Sequence, residues 1–557
     1  MNNNRKDFGV LYGQKTVGDA LLIYSSYEDS KASPKLGDFI VLAPRDESGQ
    51  KFLARVEAEI YDEDPIFRNQ DKTLIAVQYA RQAERELSER DKQKMFSYTY
   101  EVKILGSYTS IDGKDFTTAV RKLPTVSYHA RHLNQGEITN ILNRTNENGT
   151  DIGFLCIGED YSKDNKIKFD VSKLKEKRTM VFAQSGFGKT NLMKVLISNT
   201  ISDTKYGKLI FDLNGEYYQK STRNYGLGDI DADSIRNNLV VYSDKKNFDS
   251  KNRFNYKGEV RINMHKHLSI GDVLNYSTGF SEVMKSFLLY LDGEQVGDFF
   301  QNINLYANSP QQLHIKYPDF WGEQQKDKNG NIKEDVSARK TIMAIKKRLS
   351  FLIEEGKGLH SATSTLVENV FESLKQGKTV IIDLSLRDNL DASVISNIFV
   401  RKLFENNKEH FTSGEDDKVV NAVIFVEEAQ NVLSEEFVKT NANPFVRVAK
   451  EGRKFSLGLV AVTQRPSAIS EEIRTQAENF FVFHMSNTRD VKALVESNMN
   501  YGGVISKFIQ SETIAGNLYM VSANQSFALP LRVAEFEKLV HDKVYDDLKF
   551  KDLEKRT

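Results

Sequence analysis

The chain of 557 residues has a single cysteine, Cys156. That excludes a disulfide scaffold and any zinc site built from several cysteines. It also lacks net charge, with 77 Lys plus Arg against 77 Asp plus Glu. A globally basic coat is thereby excluded, and any nucleic-acid contact must come from a local stripe. No run approaches the ~18 apolar residues of a membrane span. The opening MNNNRKDFGV lacks the apolar core of a signal peptide, so the expected compartment is the cytoplasm. No repeat of fixed period stands out, and no nuclease constellation. The pairs His129/His132 and His265/His267 lack the acid or cysteine partners of a metal site, and read as surface or turn residues. Charged residues make up 28% and hydrophobic ones 39%, which fits an ordinary globular chain of roughly three or four units.

The N-terminal part reads as β. Short runs rich in branched and aromatic residues begin at Leu21, Asp38, Phe52, Thr73 and Tyr100, with turn signals such as KLGD and ESGQ between them. That spacing predicts a small barrel over residues 1–120, with a charged helix over Gln82 to Phe96. Residues 121–152 read as a polar connector. From Gly153 the pattern changes. TMVFA, KLIFDL, TVIIDL, NAVIFVEEA, LGLVAVTQ and NFFVFHM are continuous apolar runs alternating with helical segments. Strands hydrophobic on both faces predict an α/β fold, a parallel sheet covered by helices. This core is split into 153–268 and 377–535 by a helical insertion over 269–376, where SEVMKSFLLYL and ARKTIMAIKKRLSFLIEE carry apolar residues at helical spacing. Residues 536–557 form a charged tail. Lys163 to Arg178 holds seven basic and three acidic residues, and reads as a solvated lead-in to the first core strand. Cys156 reads as a buried inert thiol, and Trp321 as a packing anchor of the insertion.

The strongest chemical signal is AQSGFGKTN, Ala183 to Asn191. An apolar strand feeds it and an apolar helix leaves it. This is the context in which a tight glycine-rich loop wraps a polyphosphate with backbone N–H groups. Ser185, Gly186, Phe187, Gly188, Lys189, Thr190 and Asn191 are therefore the candidate nucleotide-binding residues. Lys189 would set its ammonium between the terminal phosphates, and Thr190 would offer its hydroxyl to Mg²⁺. The helix N-terminus adds partial positive charge. Ala183 stands where the generic pattern has glycine, which is tolerable if its φ stays negative.

Carboxylates follow. Glu427 and Glu428 end the strand NAVIFV. In a phosphate-hydrolysing site the first acid holds the Mg²⁺ shell and the second polarises the attacking water; in isolation the pair would read as acids at a helix start. Gln464 ends LGLVAVT and is placed to sense a γ-phosphate or orient water. Asp212 and Glu216 in FDLNGEY fall at the same sheet edge; a plain polar turn is the competing reading.

Together these motifs resemble the HerA-type ATPases, of the group that also contains the FtsK-like DNA pumps. AQSGFGKTN, FDLNGEY, VIFVEEAQN and AKEGRKFSLGLVAVTQRPS occur in order, and FGVLYGQKT and KLGDFIVL sit where the family's small β domain has its own counterparts. Ala183, Glu427 and Gln430 depart from the family pattern. The resemblance implies a RecA-like P-loop core, ATP and Mg²⁺ as cofactors, and a homo-hexamer with double-stranded DNA in its pore. It implies Glu428 as catalytic carboxylate, Glu427 and Thr190 on the metal side, Asp212 and Glu216 as an acidic element, and Gln464 as sensor. Arg453 of EGRK is implied as a finger reaching the neighbouring subunit; by itself it would read as a solvated basic residue. Some relatives pair with a nuclease or an NAD-consuming effector in antiviral defence. The motifs leave open whether the ring is a motor on DNA or a nucleotide-dependent scaffold for such an effector.

Overall fold

The computed structural model describes residues 7–14, 20–26, 33–63, 96–157, 160–219, 225–246, 255–276, 279–291, 296–333, 335–356, 358–440 and 443–541. The expected strand at Thr73, the helix over 82–96 except Phe96, which is the first residue of a strand, and the tail beyond 541 lie outside them.

Six strands form a closed barrel: β1 (Asp7–Gln14), β2 (Leu21–Ser26), β3 (Phe39–Ala43), β4 (Lys51–Glu63), β5 (Phe96–Tyr108) and β6 (His129–His132), in the order β1-β2-β5-β4-β3-β6. The barrel therefore runs past residue 120, and β6 falls in what reads as connector. The sequence HARH has a single apolar side chain and no alternation long enough to signal a strand. Tertiary partners hold it instead: Arg131 pairs with Glu47 and with the fully buried Glu137.

Strand β3 shows how the barrel is attached. All five of its residues are buried. Ile40 and Leu42 point into the barrel core with Phe8, Ile23 and Val102. Phe39, Val41 and Ala43 join the core of the second unit, where the Phe39 and Phe527 rings lie 5.6 Å apart. Burying a side chain such as Phe39 contributes about 1.5–3 kcal/mol, so one strand stabilises two cores at once.

The second unit is built on a twelve-stranded sheet. Its strands are β7 (Thr150–Ile157), β8 (Asp160–Phe169), β9 (Arg178–Phe182), β10 (Gly207–Asp212), β11 (Leu239–Tyr242), β12 (Asn255–Tyr256), β13 (Thr379–Asp383), β14 (Ala422–Val426), β15 (Leu457–Thr463), β16 (Asn479–Val482), β17 (Asn517–Val521) and β18 (Leu529–Val533). The order is β12-β11-β13-β10-β14-β15-β9-β16-β17-β18-β7-β8. The run from β12 to β16 is parallel; β17, β18, β7 and β8 extend it antiparallel. Basic residues 163–168 belong to the edge strand β8 rather than to a lead-in. Ile167 and Phe169 are buried while Lys163 and Lys166 are exposed, a charged edge that discourages pairing with another chain.

Helices cover both faces. Helix α1 (Lys189–Thr200) follows β9, and α2 (Val296–Asn308), α3 (Val336–Ile353) and α4 (Leu366–Lys375) come from the insertion between β12 and β13. Trp321 packs 5.1 Å from Phe287 there. Then come α5 (Asn389–Ser413), α6 (Pro444–Glu451) and α7 (Val504–Ser511). His267 is buried, not a surface residue, and His265 stacks on His360 at 4.2 Å. Cys156 is buried. Among the described residues no helix is long and apolar enough to cross a membrane.

Candidate nucleotide site

Parallel strands in register bring the ends of β9, β10, β14 and β15 to one edge of the sheet. Ligands of open α/β sheets bind at such carboxyl ends. The loop after β9 begins with Ala183, whose N–H donates to the Thr463 carbonyl at 3.2 Å. Ala183 is absent from the residues with positive φ, so its methyl is no obstacle. Gly186 and Gly188 take φ of 87° and 102°, a region that side chains resist. Ser185 and Gly186 form an exposed crest. Helix α1 starts at Lys189, and its first N–H groups have no carbonyl partner within the helix.

Two residues of this loop are committed elsewhere. The Phe187 ring stacks 4.4 Å from His484, and its carbonyl accepts from Gly516 N–H at 3.0 Å. The Asn191 side chain holds the segment after β18: Nδ2 donates to the Ala534 carbonyl at 2.9 Å, and Oδ1 accepts from Phe536 N–H at 2.8 Å. The Asn191 side chain is thus occupied within the chain, which leaves its backbone as the group to face a phosphate.

Glu428 faces the loop. Its Oε1 lies 3.5 Å from Lys189 Nζ and accepts from Gln464 Nε2 at 3.1 Å. Its Oε2 accepts from Gln430 Nε2 at 2.7 Å, and Gln430 Oε1 in turn accepts from the Thr463 hydroxyl at 2.6 Å. Backbone angles of φ 47° and ψ 45° turn Glu428 out of the strand direction, a conformation that costs of order 1–3 kcal/mol in a non-glycine residue. Burial pushes its carboxyl up, but the amides of Gln430 and Gln464 and the Lys189 ammonium more than offset this. The net position is below the ordinary glutamate value.

Glu427 has a different environment. Tyr217 donates its hydroxyl to Oε1 at 2.5 Å and Asn214 Nδ2 donates to Oε2 at 3.3 Å. Burial raises its carboxyl, Tyr217 and Lys189 pull it down, and Glu216 and Glu428 push it up again, for a net rise. Asp212 is fully buried. Its carboxylate accepts backbone N–H bonds from Asn214, Gly215, Glu216 and Tyr217 at 2.7–3.2 Å. Burial pushes it up to about 7. Asp212 thus organises the FDLNGEY turn, while Glu216 stays half-exposed at the turn's rim.

Arg453 lies apart. It is exposed in the short turn Gly452–Phe455, before the first residue of β15. Gln464 follows the last residue of that strand, and a seven-residue strand spans about 20 Å. Arg453 is therefore at the opposite sheet edge from its own chain's cradle. Lys454 beside it lies over the Phe411 and Phe455 rings.

Sequence reasoning missed Tyr217 and Asn214 as partners of Glu427. It treated Gln430 as a departure, although it is a direct donor to Glu428. The signal for Tyr217 was its place in the GEY element; its target became visible only when β10 and β14 were paired. The residues present fit Mg²⁺: Thr190 lies in the first turn of α1, and Glu427 is a half-buried carboxylate raised by burial, by Glu216 and by Glu428, whose charge a cation would favour.

Residues 152–403 match the family model described as "Helicase HerA, central domain", and residues 337–490 match that of zonular occludens toxin. The chain is 27% identical to the DNA double-strand break repair helicase HerA of Sulfurisphaera tokodaii over 62% of this chain and 63% of that protein. It is 21% identical to the probable helicase MJ1565 of Methanocaldococcus jannaschii over 92% of this chain and 88% of that one. The match to the Saccharolobus solfataricus HerA helicase is 23% over 62% of each, so these two HerA helicases are matched over less than two thirds of their length. Among solved structures, VirB4 of Thermoanaerobacter pseudethanolicus aligns with TM-score 0.42 and 12% identity, over 70% of this chain and 98% of that one.

Proposed function

We propose, from this kinship with HerA-type proteins, that the chain hydrolyses ATP as one subunit of a ring that moves on double-stranded DNA. The observation that carries the reading is the meeting of Lys189, Glu428 and Gln464 within hydrogen-bonding reach. Glu428, held by two amides and kept ionised, is suited to orient and deprotonate a water. Lys189 is paired with Glu428 and would exchange that partner for phosphate oxygens when nucleotide enters. Thr190 and Glu427 would hold Mg²⁺, which supplies charge neutralisation between the terminal phosphates. Gln464 bonds to Glu428 directly, so it can report on that carboxylate's position.

Arg453 supports the ring. It stands about 20 Å from its own cradle, so it can meet a triphosphate only on another chain. Identical subunits packed head to tail bring one sheet edge against the opposite edge of the next, and such an interface forms a ring when its rotation closes. The companion proposal is that a nuclease or NAD-consuming effector works beside the ring and docks on the barrel. It rests on the family resemblance alone, and co-purification with a neighbouring gene's product tests it.

The test of the main reading is ATP turnover with and without duplex DNA. Wild-type protein should turn over ATP faster with DNA, and Lys189→Ala should abolish turnover. Full turnover by the variant would remove the assigned site.

A further inference from the structure

Helix α3 carries Arg339, Lys340, Lys346, Lys347 and Arg348 and no acid in its 18 residues, within a chain whose charges balance. Its apolar face, with Ala338, Ile342, Ile345, Leu349 and Leu352, is buried against α2. The opposite face is in water: Lys340 and Lys347 are exposed and Lys346 half-exposed.

Among the described residues no carboxylate lies within ion-pair distance of these three lysines. Several other helices offset some of their bases with an acid three or four positions away: Lys285 with Glu282 at 3.0 Å, Arg401 with Glu405 at 3.3 Å, Lys492 with Glu496 at 3.8 Å and Lys538 with Glu535 at 2.7 Å; α3 has no acid with which to do so. Uncompensated positive charge along one helix attracts an external polyanion. The turn just before α3 is mixed in charge and adds no net basic surface: it exposes Lys326, Lys328 and Lys333 beside the exposed Glu323 and Asp327, so the basic patch is confined to the helix itself.

We propose that the outer face of α3 is a contact for the phosphate backbone of duplex DNA, made by Lys340, Lys346 and Lys347. This rests on the DNA reading above and gives it a surface. Val336, Met343 and Phe351 are also exposed on this face, but Lys340 and Lys347 lie between them along the helix. The face therefore lacks the continuous apolar stripe that seats a helix in lipid. Ammonium groups on flexible stems are point charges, so the contact holds the backbone without reading bases.

The experiment uses the full chain and a 40-base-pair duplex, with binding followed by fluorescence anisotropy across a salt series. Wild type is compared with K340A/K346A/K347A and with K340R/K346R/K347R. None of the three lysines belongs to the nucleotide site, so ATP turnover without DNA should be unchanged and reports folding. The expected result is weaker binding by the alanine variant, a salt slope shallower by about 1 for each phosphate that is no longer neutralised, and wild-type behaviour in the arginine variant. Wild-type affinity and slope in the alanine variant would overturn the assignment and leave the DNA reading standing. A loss that arginine does not restore would also overturn it, because charge would not be the cause. So would α3-dependent binding to phosphatidylserine vesicles in preference to duplex. If wild type binds no duplex, the assignment falls together with the reading beneath it.

Discussion

The two edges of the large sheet differ in how their charges are satisfied. At the carboxyl edge each candidate acid other than Glu216 accepts hydrogen bonds from identified donors: Glu428 from Lys189, Gln430 and Gln464; Glu427 from Tyr217 and Asn214; Asp212 from four backbone N–H groups. At the opposite edge Arg453 projects into solvent from a short turn. The first edge is organised before any ligand arrives, which is what electrostatic preorganisation requires. The second presents an exposed arginine, which on the ring reading proposed above would complete a neighbour's site.

The largest expected effect breaks that comparison at Arg453. An arginine supplied across an interface is worth about 10³–10⁵ in turnover, so Arg453→Ala should cost turnover on that scale while nucleotide affinity of the separate subunit is unchanged. Mixing it with Lys189→Ala should restore activity, because the intact cradle of one variant then meets the intact arginine of the other. Equal inactivity of the mixture, measured as ATP turnover against mixing ratio, would place Arg453 outside the chemistry. Glu428→Gln comes next. It keeps the shape and removes the charge, and turnover should fall by about 10²–10⁴ while ATP binding, followed by a fluorescent analogue, persists.

Smaller effects probe the organised edge itself. Tyr217→Phe deletes one charge-assisted hydrogen bond, worth about 1.5–3 kcal/mol, and should raise the Mg²⁺ concentration needed for half-maximal turnover by about tenfold or more. An unchanged Mg²⁺ titration would make Tyr217 a packing residue only. Asp212→Asn gives the smallest effect. With its carboxyl held near 7 by burial, folded protein binds a proton that unfolded protein has already released above pH ~4. Wild type therefore loses stability from this group as pH rises from about 4 to 7, and the loss levels off above. The variant lacks that slope, so the difference in melting temperature between the two proteins should change across this range and be flat beyond it.

Much of the cradle was legible from local signals. Lys189, Thr190 and the two glycines are fixed by a loop that works through its own backbone, and Glu428 and Gln464 each end an apolar strand. What stayed hidden depended on pairing. Asn191 and Phe187 read as nucleotide-binding because they lie in the motif; that their side chains also engage Ala534, Phe536 and His484, more than 290 positions away, left no local trace. Strand β6 was invisible because four residues with one apolar side chain carry no period. The antiparallel extension by β17, β18, β7 and β8 was invisible because the order of strands in a sheet leaves little local trace.

By itself the amino-acid order determined the phosphate loop, the acid pair, the strand–helix alternation and the barrel's existence, because each rests on contacts or conformations a few residues long. Tertiary structure decided that Asp212 serves a turn, that Tyr217 holds Glu427, and that Arg453 stands a full strand away from its own Lys189. Those facts belong to the register between distant strands, and register is set by which buried faces fit together across the whole core.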